Sequence, residues 1–218
     1  MSEPVRRSRE IEDFSKRNII APGIDFIVPI LVKLRLSPNM VSLLGMSAGV
    51  YAAYILSHYQ QSWVYSVAGL AMLLIWHILD GADGRVARLT GKQSEFGKIV
   101  DGICDYVVFI SIYVMISLSL VDVYGNWIWA VMVFAGLCHA VQAGAFELQR
   151  QEFEFWGRGK KSAELPDLDA VEILGKDRSI FARLAQQLDI GYSRMQYAFS
   201  GLRSYLRPSL YAHMETLK

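Results

Sequence analysis

Cysteine is almost absent: the 218 residues hold two, Cys104 and Cys138, both inside apolar runs. Two thiols so placed make no disulfide framework, and they read as reduced packing residues. A cleavable signal peptide is missing too. The first residues, MSEPVRRSREIEDFSKRNII, are charged and lack an apolar core followed by a small-residue cleavage site. There is little excess of either charge, +1 at pH 7, so the total points to no partner and gives nucleic-acid binding no support. Internal repeats and low-complexity tracts are also lacking. What is abundant is apolar surface: 53% of residues are hydrophobic. That balance favours a membrane protein over a soluble domain.

A membrane-spanning helix needs about 20 predominantly apolar residues. Four segments approach this length, at 39–58, 62–82, 99–121 and 126–146. Their connections alternate in charge. Arg6, Arg7, Arg9, Lys16, Arg17, Lys33 and Arg35 precede the first span, and Arg85, Arg88, Lys92 and Lys98 fill the 83–98 connection. Arg150, Arg158, Lys160 and Lys161 follow the fourth, whereas HYQQ and VDVYGN carry no Lys or Arg. By the positive-inside rule both termini and the 83–98 connection are expected in the cytoplasm. Ahead of the first span, 24–36 (IDFIVPILVKLRL) is apolar but too short to cross. It reads as an interfacial helix on the cytoplasmic leaflet, with a plain linker as the alternative. After a polar stretch at 160–177, Phe181, Leu184, Leu188, Tyr192, Met195, Phe199, Leu202 and Leu206 recur at helical spacing ahead of Pro208. They mark one apolar face of a long amphipathic helix. The expected architecture is therefore an all-α integral membrane bundle with four visible spans. It divides into a cytoplasmic N-terminus (1–36), a transmembrane domain (37–150), and a polar connection with an amphipathic cytoplasmic helix (151–218).

Four aspartates interrupt the apolar runs. Asp80 and Asp83 are three apart at the end of the second span, and Asp101 and Asp105 are four apart at the start of the third. Those steps put each pair on one helix face, and a short connection makes the two helices antiparallel neighbours. Four converging carboxylates repel one another unless cations sit among them. Oxygen-only ligands favour a hard cation such as Mg²⁺ or Mn²⁺. Between the acids, Gly81, Gly84, Ala87 and Gly97 allow close approach. Arg88 offers a planar donor fork suited to phosphate oxygens. Carboxylates, divalent metals and one arginine together suit a diphosphate and displacement at phosphorus. An EF-hand reading fails, because the alternating acids and closing Glu of that loop are absent.

The stretch Asp80-Gly81-Ala82-Asp83-Gly84-Arg85-Val86-Ala87-Arg88, then Gly97, Asp101 and Asp105, resembles the CDP-alcohol phosphotransferase signature, D-x2-D-G-x2-A-R-x8-G-x3-D-x3-D. Every fixed position matches with the correct spacing. The resemblance implies a membrane enzyme of phospholipid synthesis, in which an acceptor hydroxyl attacks the phosphorus next to the donated alcohol of a CDP-linked donor and CMP leaves. Carried over by position, Asp80, Asp83, Asp101 and Asp105 would hold two Mg²⁺ or Mn²⁺ ions, and Asp105 would also be the general base. Gly84 and Arg88 would contact the CDP moiety, with Ala87 and Gly97 keeping the pocket close-packed and Ser94 near the nucleotide. The element Ser-Pro-Asn-Met-Val-Ser at 37–42 resembles the family's T-P-N-x-x-T, which adds Asn39, Met40, Val41 and Ser42 to the nucleotide site. DGRVARLTGKQSEFG looks somewhat like the CDP-diacylglycerol branch, where serine, inositol phosphate or glycerol phosphate attacks. A CDP-choline or CDP-ethanolamine donor remains the alternative, and the acceptor stays open.

The resemblance covers roughly 15–150. Family members usually have six spans, the last two helping to form the acceptor cavity and a homodimer contact. The expectation is a chain cut short before further spans, with a tail that replaces them as the alternative. The expected location is a bacterial inner membrane. Two readings from other classes stand beside the transferase: an intramembrane cation or proton transporter using the same acids, and a catalytically silent scaffold. Among the remaining residues, His77 and His139 read as hydrogen-bonded packing residues. Gln142, Glu147 and Arg150 either face the acceptor or form a solvated helix end. The five tryptophans, Trp63, Trp76, Trp127, Trp129 and Trp156, mostly fit an interfacial belt.

Overall fold

A computed structural model describes residues 13–157. The helices in that range are α1 (Ala21–Lys33), α2 (Pro38–Leu56), α3 (Trp63–Thr90), α4 (Glu95–Tyr124) and α5 (Ile128–Glu152). A π-helical turn at Lys16–Ile20 leads into α1, and another at Phe153–Gly157 follows α5. The helices from α2 to α5 are long and apolar enough to cross a membrane. The protein is a multi-pass integral membrane protein built as an all-α bundle. The polar stretch at 160–177 and the amphipathic helix expected at 181–206 lie outside the described residues.

Local sequence sets the helix ends. Ser37, Ser62 and Ser94 precede α2, α3 and α4, and each hydroxyl accepts a backbone N–H of the first turn, from Met40, Val64 and Gly97. Such caps satisfy donors that the helix itself leaves unpaired. At the other end of α3, Gly91 adopts φ +65°, a left-handed conformation that glycine enters without a Cβ clash.

The second span runs further than its apolar stretch. The expected connection at 83–98 is mostly helix, and the turn between α3 and α4 shrinks to residues 91–94. Arg85, Ala87, Arg88 and Leu89 are good helix formers, and no proline interrupts them. At about 1.5 Å per residue, the 28 residues of α3 reach roughly 42 Å, against about 30 Å of hydrocarbon. The final turns of α3, beyond its apolar stretch, carry Asp83, Gly84, Ala87 and Arg88 on the helix.

The described residues up to Gly136 belong to one compact unit, and those from Leu137 to a second. Within the first unit, α2 packs against α3 and α4, and α1 lies along α3. Gly49 marks the crossing: a Cβ there would stand 2.6 Å from both methyls of Val108 on α4 and 3.2 Å from Trp76 on α3. Trp76 is buried and meets Phe109 edge-on, ring centres 5.4 Å apart. It belongs to the core, not to the interfacial belt, whereas Trp63 and Trp127 are well exposed. The side chain of Trp156 lies outside the described residues. Cys104 is buried as expected, but Cys138 is exposed, so packing does not account for it.

On α1, Ile24, Val28 and Leu31 recur one helical turn apart and bury against Val41, Ala82 and Val86. Gly81 lets α1 approach closely, since a Cβ there would lie 2.4 Å from the Ile24 side chain. An Asp25–Arg85 ion pair adds a polar tie between α1 and α3. The segment expected at 24–36 is thus a helix, shifted to Ala21–Lys33, with one face packed against the bundle.

Candidate active site between α2, α3 and α4

The four aspartates converge as their spacing requires. Asp83 lies close enough to Asp101, and Asp80 to Asp105, for their carboxyl groups to interact. Each pair joins α3 to α4, so the two helices face each other through their acids. Two carboxyl groups at close range need a proton on one of them or a cation between them. Among the described residues, no three His, Cys, Asp or Glu side chains stand in ready-made ligand geometry. The acids are instead two facing pairs. Their chemistry nevertheless fits a hard cation: carboxylates from two neighbouring helices converge in two adjacent pairs, and like charges there call for positive charge between them.

The upper pair opens onto a cavity of about 190 Å³. Pro38, Asn39 and Ser42 reach it from α2, and Asp83, Gly84, Ala87 and Arg88 from α3. Ser94, Gly97, Lys98 and Asp101 complete it from the start of α4, with Lys92 and Gln93 from the turn. Ser42 and Asp83 are both buried, and the Ser42 hydroxyl donates to the Asp83 carboxylate. This bond fixes the carboxylate from the neighbouring helix. The Arg88 guanidinium lies over Gly84, 3.5 Å from where a Cβ on that glycine would stand. Gly97 is where α2 and α4 meet: a Cβ there would be 3.2 Å from Ser94 Oγ and 3.5 Å from Asn39 Oδ1. Two helices, α2 and α4, therefore begin at this cavity, and their first N–H groups place partial positive charge beside it.

Most residues singled out from the sequence meet here, and some do not. Asn39, Ser42, Gly84, Ala87, Arg88, Ser94 and Gly97 line the cavity. Val41 is fully buried against α1, and Met40 is half exposed. Neither reaches the cavity. Four successive helical residues point in four directions, so a contiguous run such as 39–42 cannot share one face. Asp80 and Asp105 lie beyond the cavity lining. Pro38, Lys92, Gln93 and Lys98 were not singled out for the site. Helical spacing carried a signal for Lys98, four residues after Ser94 and three before Asp101.

Elsewhere, His77 Nδ1 lies 2.9 Å from the Leu73 carbonyl of its own helix. Glu147 and Arg150 form an ion pair on α5, and Gln151 also donates to Glu147 at 3.2 Å. Gln142 is exposed on the same helix.

The chain is similar in sequence to known proteins. Human cholinephosphotransferase 1 is 27% identical over 146 residues, covering 58% of this chain and 35% of that protein. Cholinephosphotransferase 1 of Danio rerio is 30% identical over 145 residues, 63% of this chain and 35% of its own. The CDP-diacylglycerol–serine O-phosphatidyltransferase of Mycobacterium leprae (strain TN) is 33% identical over 78 residues, 36% of this chain and 24% of that enzyme. The chain spans about a fifth to a third of the length of the curated relatives it matches. No solved structure matches it. The family model for CDP-alcohol phosphatidyltransferases matches residues 35–163, a stretch that holds every signature residue from Asp80 to Asp105, and the chain belongs to that family.

Proposed function

We propose that this protein is a divalent-metal-dependent transferase of phospholipid synthesis. It moves a phospho-alcohol group from a CDP-linked donor, CDP-diacylglycerol foremost, to an acceptor hydroxyl and releases CMP. The observation that carries the reading is the cavity itself. It gathers Asp83, Gly84, Ala87, Arg88, Gly97 and Asp101, six fixed positions of the signature, beside two helix N-termini. Carboxylates alone would repel a diphosphate. Arg88 and the helix starts supply donors and positive charge for one side of it.

Asp80, Asp83, Asp101 and Asp105 would hold two Mg²⁺ or Mn²⁺ ions, which when bound neutralise diphosphate oxygens and acidify a nearby hydroxyl. Ser42 orients the Asp83 carboxylate. Arg88 binds and orients the diphosphate with its planar fork. Asp105 lies one helical turn, about 6 Å, further along α4 than Asp101. From there it accepts the acceptor's proton as the acceptor oxygen–phosphorus bond forms. The bond from phosphorus to the bridging oxygen breaks, and CMP departs with that oxygen. The order along α4 favours the donor's diphosphate at the cavity and the attacking hydroxyl toward Asp105. The basic connections support a cytoplasmic orientation for the cavity. A homodimer is proposed on family grounds alone.

A second reading has its own support. The cholinephosphotransferase similarity extends over 58% of the chain, against 36% for the serine enzyme. Under it, the donated group is a headgroup phosphate and the acceptor a lipid alcohol. Purified protein given Mn²⁺ or Mg²⁺ and a panel of CDP donors and acceptors separates the two by product mass. CMP should form with at least one pair. Its absence from every pair, in a protein that carries the full complement of spans, would overturn the transferase reading.

A further inference from the structure

Three side-chain cations border the cavity, and the family signature accounts for only Arg88. The others are Lys92 and Lys98. Each is brought there by a specific local structure. At the end of α3 the left-handed turn at Gly91 sends the chain back on itself, and the Lys92 N–H bonds to the Ala87 carbonyl at 2.9 Å. Lys92 is therefore held beside the last turn of α3 instead of continuing past it. Lys98 shares one face of α4 with Ser94, Gly97 and Asp101, because steps of three and four return to the same side. Gln93, between the two, adds an uncharged amide to the same rim.

Coulomb's law gives this rim a purpose. Asp83 and Asp101 line the same cavity and repel any anion that enters. Cations held by the acids would offset that repulsion from one side, and Arg88, Lys92 and Lys98 supply positive charge from the rest of the lining. We propose that Lys92 and Lys98 form a second phosphate-binding element, which holds an oxyanion of the substrate at the mouth of the cavity. Arg88 fixes the geometry of a phosphate through its rigid fork, whereas flexible ammonium groups act as point charges. The element recognises phosphate chemistry in general: the oxyanion is either the donor's diphosphate or a phosphate carried by the acceptor. The assignment rests on the transferase reading for its substrate, but not for its affinity for phosphate.

The test uses the full chain in lipid nanodiscs, as wild type, Lys92→Gln/Lys98→Gln and Lys92→Arg/Lys98→Arg. Both lysines are exposed, so the substitutions leave the packed core untouched. Binding of inorganic pyrophosphate and of CDP is measured without acceptor. KM is then measured for glycerol phosphate and for serine. Loss of one charge-assisted contact corresponds to about tenfold or more in affinity. The Gln pair should weaken pyrophosphate binding at least that much, and the Arg pair should retain it. A parallel loss of CDP affinity assigns the element to the donor. Unchanged CDP affinity with a raised KM for glycerol phosphate, but not for serine, assigns it to the acceptor. Wild-type protein that binds pyrophosphate but not CDP would remove the transferase reading and leave the lysine element standing. Equal pyrophosphate binding by wild type and the Gln pair would overturn the element.

Discussion

Ser42 shows how one hydroxyl can govern a carboxylate it does not belong to. It sits on α2, is buried, and donates to Asp83 on α3. Groups that orient a ligand from outside commonly change metal affinity by tenfold to a hundredfold when removed. Ser42→Ala should therefore weaken Mn²⁺ binding about tenfold, read by electron paramagnetic resonance of the free ion, while Ser42→Thr should keep it. Equal Mn²⁺ affinity in wild type and Ser42→Ala would show that Asp83 is positioned without it. At this scale the acids were legible because their helical steps survive folding unchanged. Ser42 was legible as a site residue through its neighbours Pro38 and Asn39, but not as the partner of Asp83. That contact joins residues 41 positions apart, and no local pattern encodes it. Met40 and Val41 were read into the site by adjacency, and helical geometry turns them elsewhere.

The helices explain why the site is rigid. Hydrophobic length marks where a span lies in lipid, and it ended the second span near residue 82. Helix propensity continued the same helix to Thr90, so half of the signature stands on α3 instead of in a loop. The number of spans was legible from apolar length alone, and their true ends were not. Small residues were legible as close-approach points, but the partners they admit were not. Gly49 admits Val108 and Trp76, and Gly81 admits Ile24. Trp76 belongs to a set of five tryptophans that mostly fit an interfacial belt, and a sequence cannot distinguish a tryptophan facing lipid from one facing Phe109. Gly49→Ala places a methyl group in a crossing already at contact distance. Overpacking of this kind costs about 1–3 kcal/mol. The variant should melt at lower temperature in detergent, followed by loss of soluble monodisperse protein on heating. Unchanged melting would mean that the α2 crossing is looser than its contacts indicate.

At the scale of the molecule, the apolar bundle serves to hold charge. α3 and α4 bring two acid pairs together, and α1 braces the last turns of α3 through Ile24, Val28, Leu31 and the Asp25–Arg85 pair. Opposite charges then meet at the site. Lys92, Lys98 and Arg88 line the cavity together with Asp83 and Asp101, and Asp80 and Asp105 lie outside that lining. That arrangement suits a polar nucleotide at the cavity and a second substrate toward Asp105. The central claim is that Asp105 takes the proton of an attacking hydroxyl while the cavity holds the CDP donor. Metal-dependent CMP release by wild type and Asp105→Asn, each assayed beside CDP binding, tests it most directly. The account predicts CMP release by the wild type, at least a hundredfold slower release by the variant on the scale expected for general-base loss, and CDP bound by both. Full turnover by Asp105→Asn would contradict it.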